Sequence, residues 1–225
     1  MAKWKRKRKQ AVLEMKEYNY FIFCEGEQTE PNYFKGFESN IENNPIYKDM
    51  VAVKVQGCGK ETLRVVEDAQ DFVQKNKIKN AKVFCVFDKD DFPAKDFNYA
   101  ISCMEKLNKN KNDVIYHAAW SNQCIELWFL LHFSYYHSNN DRKQYFEALD
   151  NILRKRGLNK YKKNDDLIFD ILYEHGNPKQ AIIFAKKLMN EYSGTNYADM
   201  SPATKVYELV EELSKYLPEE MKIKF

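Results

Sequence analysis

The chain has 225 residues, 44% of them hydrophobic and 15% aromatic, enough to bury the core of one ordinary domain or of a compact domain with an appended subdomain. With 7 Gly and 6 Pro against 31% charged residues, the composition excludes a low-complexity or disordered protein. The formal net charge of +3 is uneven: "MAKWKRKRKQ" carries six Lys/Arg and no acid, which leaves 30 basic against 33 acidic residues in the body.

Residues 1–17 read as a basic arm, suited to a phosphate backbone and equally to a solubilising terminus. Tyr18–Cys24 is a dense aromatic run and predicts a central strand. Thr29-Glu30-Pro31 predicts a helix start, with Thr29 as N-cap and Pro31 in the first turn, running to about Glu42 before Asn43-Asn44-Pro45. "MVAVKV" (50–55) is β-branched and alternating, a second strand, followed by a helix over about 61–76. "AKVFCVFD" (81–88) is the third and most hydrophobic strand, 97–108 a helix, and "DVIYHA" (113–118) a fourth strand. Strands alternating with helices predict an α/β fold over 18–120, with a mostly parallel sheet and right-handed crossovers.

From Ser121 the pattern changes. "SNQCIELWFLLHF" (121–133) predicts a helix capped by Ser121 or Asn122, and helical periodicity follows at about 142–156, 164–174, 178–192 and 203–217. Gly157, Gly176 and Gly194 stand at expected C-caps, and Pro178 and Pro202 open the helices after them. Residues 121–225 thus read as a helical extension packed on the α/β part.

The five cysteines (24, 58, 85, 103 and 124) form no CxxC pair, which suits a reducing cytoplasm. No apolar run is long enough to span a bilayer, and no signal-peptide pattern follows the basic arm, so no membrane contact is expected. Neither His117, His132, His137 nor His175 pairs at zinc spacing; His132, on an apolar helix, reads as a hydrogen-bonded core residue.

The chemistry is carried by carboxylates. "FIFCEGEQTEPNYF" (21–34) ends the first strand on Glu25, and "VFDKDDF" (86–92) ends the third on Asp88 and Asp90. In parallel sheets ligands bind outside the carboxyl ends of the strands, so both acidic turns belong on one edge. Alternating residues of a DxD turn can point the same way, so Asp88 and Asp90 can share a hard divalent cation such as Mg²⁺ while Lys89 points elsewhere. Glu25 can complete the shell or act as general acid/base. The competing reading is two solvated acidic turns that never meet.

Rival mechanisms fit less well. "GCGKET" (57–62) lacks the spacing of a phosphate loop and has Glu where Ser or Thr would bind Mg²⁺, although Lys60 can still reach a phosphate. A haloacid-dehalogenase phosphatase would need its acidic motif on the first strand. A response-regulator receiver would need paired acids there and a single phosphoacceptor Asp. For nucleic-acid contact, Arg154-Lys155-Arg156 and Tyr161-Lys162-Lys163 form a basic segment in which cations can track phosphates and Tyr161 can stack on a base; Lys60 and Lys89 join them as candidates. The same segment also reads as a solvated helix end.

A strand ending in Glu-Gly followed by a later strand ending in Asp-x-Asp resembles the Toprim domain of topoisomerases, primases and nucleases. "FIFCEGEQTEPNYF" is closer still to the opening motif of the RloB-like proteins, small prokaryotic Toprim proteins found beside restriction and phage-defence genes. "VFDKDDF" and "SNQCIELWFLLHF" are similar to that family's next two motifs, and "SPATKVYELVEEL" (201–213) to its closing helix, with Ser201 where Asn is expected.

The resemblance implies a Toprim-like sheet and roles residue by residue. Glu25 would be the Toprim glutamate, Asp88 and Asp90 the metal-binding pair, Glu30 a ligand to a second metal, and Glu126 the acid of the third motif, with an exposed helix carboxylate as the alternative for Glu126. The function expected is Mg²⁺- or Mn²⁺-dependent cleavage of DNA or RNA in phage defence, with a partner protein from the same operon possible. No tyrosine can be nominated as a topoisomerase nucleophile, so hydrolysis is favoured over strand passage. The alternative is a non-catalytic nucleic-acid- or nucleotide-binding sensor acting with a partner effector.

Overall fold

The computed structural model describes residues 14–109 and 113–224, so most of the basic arm lies outside the described residues. Five strands form one sheet in the order β2-β1-β3-β4-β5. The first four, β1 (Tyr18–Cys24), β2 (Val51–Gly57), β3 (Ala81–Asp88) and β4 (Val114–Asn122), are parallel. The helices α1 (Thr29–Glu42), α2 (Thr62–Asn76) and α3 (Ala94–Asn108) connect them. The α/β reading of the sequence is therefore correct, with a mostly parallel sheet flanked by helices.

Alternation along the strands divides the core into two layers, because successive side chains point to opposite faces. Tyr20, Ile22 and Cys24 of β1 pack with Tyr33, Phe34 and Phe37 of α1 on one face. Phe21 and Phe23 pack on the other with Val65, Val66 and Ala69 of α2 and Phe97 and Ala100 of α3. β1 leads to β2 on one side, whereas the chain crosses back over β1 to reach β3 on the other. The carboxyl ends of β1 and β3 therefore flank the point where strand order reverses, the usual ligand position in such sheets.

The second half supplies α4 (Glu126–Leu131), α5 (Arg142–Lys155), α6 (Ile168–His175), α7 (Pro178–Met189), a short 3₁₀ turn (Tyr197–Asp199), β5 (Ala203–Thr204) and α8 (Val206–Ser214). α4 to α8 share the α1 face of the sheet, where Trp128, Phe129, Phe169, Leu188 and Leu209 join the α1 layer. Among the described residues no helix is long and apolar enough to cross a membrane.

Several boundaries differ from those expected: the 203–217 helix is β5 followed by α8, the 164–174 helix is Ile168–His175, and two further differences bear on the site. β4 runs on to Asn122 and the helix starts only at Glu126. Ser121 and Asn122 pair antiparallel with Thr204 and Ala203 of β5, the Ser121 hydroxyl meets Thr204 Oγ1 at 3.0 Å, and Asn122 Nδ2 donates to the Ala198 carbonyl at 2.8 Å. Side chains that suit a helix cap are here spent on a strand partner some 80 residues downstream. Likewise Gln28, not Thr29, occupies the cap of α1, and the Thr29 hydroxyl donates to the Lys163 carbonyl at 2.8 Å.

Candidate functional site

Glu25 leaves β1 with its backbone still tied to the sheet: its N–H donates to the Val86 carbonyl at 2.9 Å, and its carbonyl accepts from the Lys60 N–H at 3.3 Å. The side chain is held at both oxygens. Oε2 accepts the Asp88 N–H at 3.0 Å, and Oε1 accepts the hydroxyl of buried Thr62, the first residue of α2, at 3.1 Å. The carboxylate therefore bridges the ends of β1 and β3. A Cβ at Gly26 would lie 2.3 Å from Glu30 Oε2, so any side chain there would push the Glu30 carboxylate out of its place. The Glu-Gly pair thus lets Glu30, in the first turn of α1, fold back over the strand end, where it is 6% exposed.

Asp88 ends β3 buried. Beyond it the ladder to β4 continues for one turn, with the Lys89 N–H on the Ser121 carbonyl at 2.8 Å and the Asp90 N–H on the Gln123 carbonyl at 3.0 Å. Asp90 takes φ +42°, a left-handed conformation that Asp tolerates better than most side chains. This turn sends Lys89 away from the carboxylates, its ammonium donating to the Phe92 carbonyl at 2.5 Å. Glu126 opens α4, fully buried, and its Oε1 accepts the Tyr161 hydroxyl at 2.7 Å.

Glu25, Glu30, Asp88, Asp90 and Glu126 line one pocket of about 540 Å³, together with Arg142 and Lys163. Crowding of like charges in a dry setting disfavours ionisation. Burial, then the charges of Glu126 and Glu25, push Glu30 up to about 7, against the pull of its own backbone N–H and of Lys163. Asp88 is raised by burial and by Glu30, Asp90, Glu126 and Glu25. Glu25 is raised by burial, opposed by the bonds from Asp88 and Thr62. Asp90 pairs with the Arg142 guanidinium through Oδ2. Its Oδ1 and that of Asp88 are buried with no hydrogen-bond partner.

Two orphaned carboxylate oxygens amid mutually repelling acids fit a hard divalent cation in donor type and charge. Among the described residues no group of three or more His, Cys, Asp and Glu side chains is arranged to hold a metal ion. Protein donors occupy four of the other oxygens: Asp88 N–H and Thr62 hold both of Glu25, Tyr161 holds Oε1 of Glu126, and Arg142 holds Oδ2 of Asp90. Mg²⁺ takes one or two carboxylates and completes its shell with water and substrate phosphate, so Asp88 and Asp90 would suffice as ligands to such an ion.

The other residues named from the sequence scatter. Lys60 pairs with Asp68 through both oxygens, at 2.9 and 2.7 Å, and Arg154 pairs with Asp150 at 3.0 Å. Arg156 donates to the His175 carbonyl at 2.9 Å and lies over the Phe133 ring. Lys155 and Lys162 are exposed. Tyr161 is buried, its ring near Phe146 and its hydroxyl on Glu126, which places it to hold a site carboxylate rather than to offer a ring face to a base. Of the basic segment, Lys163 alone lines the pocket.

Three contributors are not among the candidates named from the sequence, although Thr62 ends "GCGKET" and Gln123 lies within "SNQCIELWFLLHF". Thr62 holds Glu25, and Arg142 pairs with Asp90. Gln123 accepts the Asp90 N–H through its carbonyl and the Arg142 N–H through its side chain, at 2.9 Å. For Arg142 the local signal is Asp141-x-x-Gln144, a capping box that fixes the start of α5. His132 is a core residue, its Nδ1 3.0 Å from the Trp128 carbonyl and its pKa lowered to about 4 by burial.

No curated protein and no solved structure matches the chain. A family model described as RloB-like protein matches residues 20–213, a span from β1 into α8 that contains both acidic turns, Glu126 and the segment that clamps it. On a match of that extent, the chain belongs to the RloB-like protein family.

Proposed function

We propose that the protein is a Mg²⁺- or Mn²⁺-dependent nuclease that hydrolyses phosphodiester bonds of DNA or RNA, acting in the cytoplasm as part of a phage-defence system. The observation that carries this reading is the meeting of Glu25, Asp88 and Asp90 at the point where strand order reverses, with an unpartnered buried oxygen on each aspartate. Asp88 and Asp90 would hold the cation, with Glu25 beside them and Glu30 and Glu126 able to serve a second. A cation bound there supplies Lewis-acid polarisation of the phosphate and a water of lowered pKa.

The chain's own groups do the positioning. Thr62 and the Asp88 N–H fix both oxygens of Glu25, so its orientation is set before substrate arrives. Tyr161 holds one oxygen of Glu126. Burial and the Glu126 charge push the Tyr161 hydroxyl pKa up, which suits a hydrogen-bond donor and not an attacking phenolate. Water is therefore the nucleophile this site favours. A defence role and a partner protein rest on the family resemblance alone.

The test is incubation with plasmid DNA, single-stranded DNA and total RNA, in Mg²⁺, Mn²⁺ or chelator, beside the Asp88→Ala/Asp90→Ala variant. Cleavage that needs both the metal and the aspartates is expected, and the cleaved substrate names the class. The second reading, a sensor that binds nucleic acid or nucleotide for a partner effector, is favoured by the capture of Asp90 by Arg142 and of Glu126 by Tyr161. It predicts binding that Asp88→Asn alters, with no metal-dependent product from any substrate.

A further inference from the structure

The acids Glu30, Asp88 and Glu126 form a buried floor, whereas the Arg142 side chain is 39% exposed and Lys163 is exposed, so two cations stand at the rim beside exposed Glu27. Arg142 is anchored at its backbone, and its guanidinium, paired with Asp90, is only partly exposed. Its N–H is held by Gln123 Oε1 at 2.9 Å, and the Gln123 carbonyl holds the Asp90 N–H at 3.0 Å, so one residue fixes both members of the Arg142–Asp90 pair. That pair satisfies only half of Asp90, whose Oδ1 is buried without a partner. Lys163 is tethered by its carbonyl to Thr29, with its ammonium over the Phe146 ring at 4.7 Å, close enough for its charge to act on Glu30.

A guanidinium on a metal-type carboxylate stands where a cation would compete with it. A divalent ion that took over the charge of Asp90 would release the guanidinium and leave its planar fork free for a phosphate. We propose that Arg142 is the phosphate-binding arm of this site: it neutralises Asp90 before the cation binds and then engages a non-bridging oxygen of the nucleic-acid backbone, with Lys163 on a neighbouring phosphate. This deepens the cation-dependent reading and rests on it.

The consequence is a pair of effects of opposite sign. Arg142→Ala removes a competitor for Asp90 and a contact to phosphate together, whereas the loss of a merely structural residue would weaken both kinds of binding. The test uses the full chain and two probes: Mn²⁺, followed by electron paramagnetic resonance, and a short fluorescein-labelled single-stranded DNA with an RNA of the same sequence, followed by anisotropy in Ca²⁺. Arg142→Ala is expected to bind Mn²⁺ about two- to fivefold more tightly, the worth of a partly exposed ion pair. It should bind the preferred oligonucleotide about 10- to 100-fold more weakly, with a salt slope smaller by about one. Arg142→Lys, which keeps the charge but not the fork, should fall between wild type and Arg142→Ala on the oligonucleotide. Unchanged oligonucleotide affinity and slope, or weaker Mn²⁺ binding, in a folded Arg142→Ala protein overturns the assignment, as does a wild type that binds neither oligonucleotide. A wild type that binds oligonucleotide but no Mn²⁺ overturns the cation reading instead, and the Arg142→Ala comparison then still decides whether this residue contacts phosphate.

Discussion

Glu30 carries a cost that can be measured. Its carboxyl, ordinarily near 4.5, is held at about 7 by burial among Glu126 and Glu25. Between those values the unfolded chain is ionised while the folded one keeps its proton. Glu30 therefore contributes stability at low pH that is lost as pH rises through 7, on the order of 2–3 kcal/mol. Thermal unfolding of Glu30→Gln is expected to show higher stability than wild type at pH 8 and a flatter profile between pH 5 and 8. A parallel profile would mean that Glu30 is not under this strain. Tyr161→Phe should reduce divalent-ion affinity by about 10- to 100-fold, because it frees a buried carboxylate that Tyr161 now orients. The same change should cost about 1–3 kcal/mol in a denaturant titration. Glu25, Asp88 and Asp90 could be named from sequence because each sits at the end of a strand whose hydrophobicity announces it. Arg142 and Gln123 could not, since their relation to Asp90 is made by chain returning from some 30 to 50 residues away.

At the scale of elements, local pattern located β1 to β3, α1 and α2 to within a residue or so, because their hydrophobic faces and their breakers agree. It failed where tertiary partners override propensity. Ser121-Asn122 has the chemistry of a helix cap but completes a strand opposite β5, and β5 itself was absorbed into a predicted helix because two residues leave no periodic trace. Close packing between elements was equally silent. Gly36, within α1, faces Phe169 of α6, and a Cβ there would lie 2.0 Å from the ring. Replacing a mid-helix Gly by Ala normally stabilises by about 1 kcal/mol. Here Gly36→Ala is expected to destabilise by about 1–3 kcal/mol through overpacking, read as a lower denaturation midpoint, and a raised midpoint would show that α6 is free to move.

For the whole molecule, the helical half does more than cover the sheet. It supplies Glu126, holds it with Tyr161, brings Lys163 to the mouth of α1 through Thr29, and pairs Arg142 with Asp90. Its Trp128, Phe129 and Phe169 share one apolar layer with Tyr20, Ile22 and Phe37. A chain ended at residue 120 would expose that layer and is expected to lack cooperative unfolding in calorimetry, whereas a sharp transition would show that residues 18–120 fold alone. The cation site proposed on Asp88 and Asp90 lies in a pocket to which both halves contribute, and Mn²⁺ titration of wild type, Asp88→Asn and Glu126→Gln tests it most directly. The predicted result is saturable binding by wild type, its loss in Asp88→Asn, and a weaker but detectable affinity in Glu126→Gln. Equal Mn²⁺ binding by wild type and Asp88→Asn would contradict it.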